Sequence, residues 1–252
     1  MAADPLFELL LRMGDNTLIL AQRLSQWCGH GPTLEEDIAL ANIALDLTGH
    51  TQLWLGLAGE VEGAGRDADG LAFHRDVWDF RNTLLVEQPN GDFGQTIMRQ
   101  YLFDAWHVLQ LEALRESSNP QVAEIAEKAI KEVSYHQERS SETVIGLGDG
   151  TEESHARMQA ALDLLLPYVG EFFANDAVDE IMKEAGIAPL PDSLRSAFDE
   201  QITPVMQAAT LTVPDTDFAH SGGKSGRQHS EHLGHILPQM QWLQRAYPDA
   251  SW

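Results

Sequence analysis

Acidic and histidine side chains recur at one-turn spacing along three segments of this 252-residue chain. In IALANIALDLTGHTQLWLGLAG (38–59), Asn42, Asp46 and His50 follow every four residues, which lines them along one face of a helix. Asp104 and His107 share a face in RQYLFDAWHV, and Lys128, Glu132 and His136 share one in the segment ending KEVSYHQERS. An earlier segment adds Asp15 and Asn16, with Gln22 and Arg23 two turns on. Carboxylates and imidazoles converging from four helices form a di-metal carboxylate centre, suited to iron or manganese and able to activate dioxygen.

The donor set departs from that pattern slot by slot. The usual arrangement takes one Glu from each of two helices and a Glu-x-x-His from each of the other two. Here the second segment has Asp46 with Gly49 at the +3 position, and the fourth has Glu132 with Tyr135 there. His50 and His136 both fall at +4. The third has Asp104, one methylene shorter than Glu, and the first has no acid between Asp15 and its end. Two metal ions about 3.5–4 Å apart tolerate little loss of reach. The favoured expectation is therefore no catalytic and no metal-binding residue, with Asp46, His50, Asp104, His107, Glu132 and His136 as a degenerate former site. Asn42, Asp46, Asp104, Lys128, Glu132 and His136 would form a buried polar network, with Lys128 or Arg23 replacing the lost positive charge. The alternative is a di-metal oxidase active in its own right through the same six donors.

Other patterns carry less. GGKSG (222–226) resembles the end of a phosphate-binding loop, but Phe218 stands where that motif needs Gly and no strand precedes it. Lys224 and Arg227 remain a small basic spot that could touch a ligand or partner. His229, His232 and His235 with Glu231 lack a completing donor set and read as polar contacts at a helix start. No Gly-x-Ser-x-Gly elbow supports a serine triad, and Cys28 reads as an inert, partly buried thiol at a helix end.

The elements that must position these residues are helices throughout. Asp4-Pro5 caps a helix to about residue 27, and Thr33 with Glu36 starts one from 34 to about 61. Loop signals fill 62–70, a shorter helix is expected over 71–82, and Pro-Asn-Gly turn chemistry occupies 86–94. Long helices follow at about 95–117 and, from Asn119-Pro120, at 120–145, where glycines 146, 148 and 150 end the pattern. Later helices are expected at 151–173 with a kink at Pro167, then 176–185, 192–210 and 231–247. Four long helices with a 33-residue gap after the second predict an all-α, ferritin-like four-helix bundle with additional C-terminal helices, as a single domain over 1–252.

Composition narrows the function classes. Lys and Arg total 16 against 39 Asp and Glu, a formal charge of −23, which argues against nucleic acid or an anionic membrane as partner. One cysteine excludes an internal disulfide framework. No apolar run approaches the roughly 20 residues of a membrane span, and no signal-peptide pattern opens the chain, so a cytoplasmic location is expected.

The stretches GDNTLILAQRLSQWCGH, LANIALDLTGH, LLVEQPNGDF, RQYLFDAWHV, AIKEVSYH, GGKSGRQHSEHLG and QWLQRAYPDASW resemble the C-subunit family of the phenylacetyl-CoA epoxidases, nearly end to end. The resemblance implies a ferritin-like component of a bacterial multicomponent monooxygenase that epoxidises the aromatic ring of phenylacetyl-CoA during phenylacetate degradation. It implies no cofactor in this chain and a di-iron centre in a related catalytic A subunit. The chain would be a structural partner of A in a heterodimer that assembles further, with a small bridging B subunit and a reductase subunit.

Overall fold

A computed structural model describes residues 4–216 and 218–248 of the protein, which are helical with no strand among them. The helices are α1 (Pro5–Ser25), α2 (Leu34–Glu62), α3 (Ala68–Phe73), α4 (Leu84–Glu87), α5 (Phe93–Leu114), α6 (Pro120–Gly148), α7 (Glu152–Leu165), α8 (Ala177–Glu184), α9 (Arg195–Ala208) and α10 (Leu233–Ala246). The chain divides into two compact units. One takes the residues up to Gln88 together with those from Ser221 onward, and the other is Pro89–His220.

Capping chemistry sets the long helices. The Asp4 carboxylate accepts from the Leu6 amide at 2.8 Å with Pro5 in the first turn, and Thr33 Oγ1 accepts from the Glu36 amide at 3.4 Å. Asn119 does the same ahead of Pro120, bonding the amides of Gln121 and Val122. α2 ends at Gly63, whose φ of +66° is the left-handed conformation a glycine accepts at little cost.

In the first unit α1 and α2 run antiparallel. Gly14 lies against Leu55, and Thr17 bonds Thr51 at 2.8 Å, so sequence number rises on one helix as it falls on the other. α3, α4 and α10 pack around this pair. In the second unit α5 and α6 are antiparallel too, since Asp104 meets Ser140 and Arg115 pairs with Glu127. α5 is buried on nearly all faces, with α6, α7 and α9 packed on it.

Four expectations are corrected. The helix expected over 71–82 is instead the end of α3, a 3-10 turn at Val77–Asp79 and extended chain, with α4 forming just before the Pro-Asn-Gly turn. α6 runs through Gly146 to Gly148, because Gly148 is needed there for close packing. A Cβ on it would come within 2.5 Å of the Ala209 carbonyl oxygen. Beyond Leu165 the expected kink at Pro167 becomes a full change to 3-10 helix, Leu166–Phe173. Cys28, expected to be partly buried, is exposed just beyond the end of α1. The final residues of QWLQRAYPDASW, 249–252, lie outside the described residues.

Candidate functional site

Asp46 and His50 belong to the first unit, and Asp104, His107, Glu132 and His136 to the second. On α2, His50 is buried and Asp46 is half-buried, while Asn42 faces solvent. On α6, His136 is buried, but Glu132 and Lys128 are exposed. Lys128 pairs with Glu124 at 2.9 Å on the outside of the helix. Asn42, Lys128 and Glu132 are therefore not parts of a buried network, which corrects that expectation. A four-residue spacing drifts about 40° around the helix per step, so a stripe that begins facing outward turns in by its last residue.

Asp104 is at the centre of the polar core of the second unit. It has no exposed surface. Gln100 Nε2 donates to one carboxylate oxygen at 2.6 Å, and Ser140 Oγ donates to the other at 2.9 Å. Because Ser140 is on α6, the carboxyl group ties α5 to α6. Burial pushes its pKa up to about 8, against the smaller opposing effects of the Ser140 and Gln100 bonds and the Arg139 charge. The acid is thus mainly protonated at neutral pH. Tyr101 is raised as well, first by burial and then by the Asp104 charge. His107 is buried with its ring 5.0 Å from that of Phe103 and 6.1 Å from that of Trp106.

The polar positions of α1 are answered by residues that periodicity does not single out. Asp15 is sealed and takes a bidentate pair from Arg75, with Nη1 at 2.9 Å from Oδ2 and Nη2 on Oδ1. The Arg81 amide adds a bond to Oδ2 at 2.8 Å, and the Arg75 guanidinium stacks 4.4 Å over Phe80. Asn16 Oδ1 accepts from the amide and hydroxyl of Thr83, both at 2.9 Å. Arg23, expected to replace a metal charge, donates instead to the backbone carbonyl of Glu87. Burial lowers its pKa, partly offset by the Glu87 charge.

Glu87 is a sealed acid that the sequence patterns miss. Asn82 Nδ2 at 2.9 Å and His229 Nδ1 at 2.5 Å face Oε1, while the Ser230 amide at 2.7 Å and its hydroxyl at 2.6 Å donate to Oε2. His229 so anchors the C-terminal segment, rather than joining His232 and His235 in a cluster. The preceding loop folds on itself, with Ser225 Oγ and the amides of Arg227 and Gln228 all donating to the Gly222 carbonyl. It leaves Lys224 half-buried and Arg227 exposed. The only sequence signal for Glu87 was its place beside a turn, where it read as loop.

In neither unit do three of His, Cys, Asp and Glu converge on a point that a metal ion could occupy, among the described residues. Both Asp104 oxygens already accept hydrogen bonds, and Glu132 faces out. A largely apolar groove of about 460 Å³ against α10 has Asp76 and Arg245 as its charged residues, and those pair with each other at 2.8 Å. No helix among the described residues is long and apolar enough to cross a membrane.

An all-helical chain built on long antiparallel helix pairs fits the ferritin-like class of helical bundles. The chain belongs to the phenylacetic acid catabolic protein family, PaaA_PaaC, whose model matches residues 1–252. It is 49% identical over 242 residues to the C subunit of the 1,2-phenylacetyl-CoA epoxidase of Escherichia coli (strain K12), covering 96% of this chain and 97% of that protein.

Proposed function

We propose that this chain is the non-catalytic structural C-type subunit of a phenylacetyl-CoA epoxidase that acts in phenylacetate degradation in the cytoplasm. The observation that carries the reading is the near full-length likeness to the C subunit of such an epoxidase. The scattered donor set supports its non-catalytic part: Asp104 is engaged on both oxygens and Glu132 is turned outward. Its partners are a catalytic A subunit that holds the di-iron centre, a small bridging B subunit and a reductase subunit. The single ferritin-like domain expected over 1–252 belongs to the same proposal. The role is support. A catalytic constellation must be held to about 0.5 Å, and a second helical body packed on the ligand-bearing helices supplies that rigidity.

The test is reconstitution with metal analysis. Epoxide formation from phenylacetyl-CoA, dioxygen and reductant is measured with A alone, with this chain alone and with both. Turnover is expected only with both, and iron is expected to follow A. Full turnover by A alone would overturn the supporting role. Iron bound by this chain alone and lost on Glu132→Ala would restore the di-metal oxidase reading.

A further inference from the structure

The His229 side chain is 1% exposed, and the Glu87 side chain that it meets has no exposed surface. Each nitrogen of the His229 ring faces an oxygen. Nδ1 lies 2.5 Å from Glu87 Oε1, and Nε2 lies 3.2 Å from the backbone carbonyl of Phe80. A carbonyl oxygen only accepts, so Nε2 carries a proton. Two lone pairs cannot approach so closely, so a second proton lies between Nδ1 and Oε1. The other contacts of the Glu87 carboxylate are with donors: Asn82 Nδ2, the Ser230 amide and the Ser230 hydroxyl. Four donors on two oxygens fill the acceptor capacity of an ionised carboxylate. The second proton therefore belongs to the ring, and His229 is an imidazolium. A neutral histidine of either tautomer would set lone pair against lone pair, at Glu87 or at Phe80.

Charged groups surround the pair from each element packed on it. Arg23 on α1 donates to the Glu87 backbone carbonyl and favours the ionised carboxylate. Arg81 donates to the Phe80 carbonyl at 2.9 Å and disfavours a second cation there, but Glu8 already pairs with it at 2.8 Å. Arg75 stacks on the Phe80 ring and is paired with Asp15. On the C-terminal segment Arg227 and Glu231 are exposed to screening water, and Lys224 and His232 are half-buried. The direct contact with Glu87 outweighs the paired and more distant Arg81. We infer that Glu87 and His229 form a proton-held latch. It closes residues 221–232 onto residues 80–87 while His229 is an imidazolium, and releases them when the ring gives up a proton. The latch is present in full where a free histidine would also be charged, and it is lost as pH rises.

The experiment follows the full chain, labelled with 15N-histidine, by NMR from about pH 6 to about pH 9. The His229 signal is identified by through-space coupling to the Trp78 ring beside it. Both ring nitrogens are expected to carry protons at neutral pH, and one proton is expected to leave as pH rises. Limited proteolysis is run over the same range, with rates taken relative to an unfolded substrate so that the protease's own pH dependence cancels. Cleavage within residues 221–232 is expected to accelerate on the order of tenfold, the size of one lost charge-assisted hydrogen bond, while cuts elsewhere keep their rates. His229→Gln is expected to be cut at the fast rate at every pH. A bare ring nitrogen on His229 at neutral pH would overturn the inference, whether or not the variant folds. Loss of the ring proton without faster cleavage would also overturn it. So would equal acceleration at all sites, or a folded His229→Gln as resistant as the wild type at the acid end.

Discussion

A carboxyl group sealed inside a protein must find a cation or keep its proton, and this chain uses both solutions. Asp15 takes the Arg75 guanidinium in a bidentate pair. Asp104 has only the neutral donors Gln100 and Ser140 in contact, and burial raises its pKa to about 8. The consequence for stability has a definite sign. In the unfolded chain Asp104 titrates near 3.8, so between about pH 4 and pH 8 the folded state binds more protons than the unfolded one. Stability from this group is therefore fully present below about pH 4 and is lost progressively as pH rises through about 8. Asp104→Asn cannot ionise, and its amide can still meet both neighbours. Denaturant unfolding from pH 4 to pH 9 is expected to show the variant gaining on the wild type as pH rises. The difference should reach the order of several kcal/mol at the alkaline end. Parallel curves for the two proteins would mean that Asp104 is ionised in the fold.

Element by element, α2 carries two opposite demands on glycine. Gly59 lies where a Cβ would overlap the Arg66 carbonyl oxygen, so the loop after the helix can close tightly only over a bare backbone. Gly56, one turn earlier, has open space around it. Gly59→Ala is expected to destabilise the chain by about 1–3 kcal/mol through displaced backbone. Gly56→Ala is expected to stabilise it by about 0.5–1 kcal/mol through helix propensity. Urea midpoints of the two variants, shifted in opposite directions, would check both. The long helices were legible because their caps are local: Asp4-Pro5, Thr33 and Asn119-Pro120 act within a few residues. Residues 71–88 were not, because Arg75, Arg81 and Glu87 answer Asp15, Glu8 and His229, far away in sequence. The candidate site was half legible for a related reason. Spacing aligned Asp104 with His107 and Glu132 with His136, but it cannot tell which side of a helix faces in. α2 is apolar nearly all round, so its pattern does not mark an outward face, and the exposure of Leu34 and Leu45 is seen only in the fold.

Over the whole molecule, the first unit is completed by the last part of the chain. Residues from Ser221 onward return to the helices before Gln88, and the Glu87 carboxylate is the polar anchor of that return. Gln241 adds bonds to the carbonyls of Ala72 and Arg75, and Arg245 bonds the Arg75 carbonyl and Asp76. An isosteric amide in place of Glu87 separates charge and acceptor capacity from shape. If the NH2 of Glu87→Gln faces Ser230, it meets a backbone N–H that cannot turn. If it faces the other way it meets the Asn82 amide, which could turn only by giving up its 3.1 Å bond to the Thr83 carbonyl. Either orientation sets donor against donor in a site with no exposed surface. Glu87→Gln is therefore expected to cost about 2–4 kcal/mol in denaturant unfolding. Glu124→Gln, in the exposed pair with Lys128, is expected to cost less than about 0.5 kcal/mol. Because the anchor holds a loop rather than a core helix, the loss should appear first as local opening. Limited proteolysis is expected to cut the variant within residues 221–232 well before the wild type. Equal cleavage of the two proteins would show that apolar packing of α10, and not the Glu87 anchor, keeps the chain's end in place.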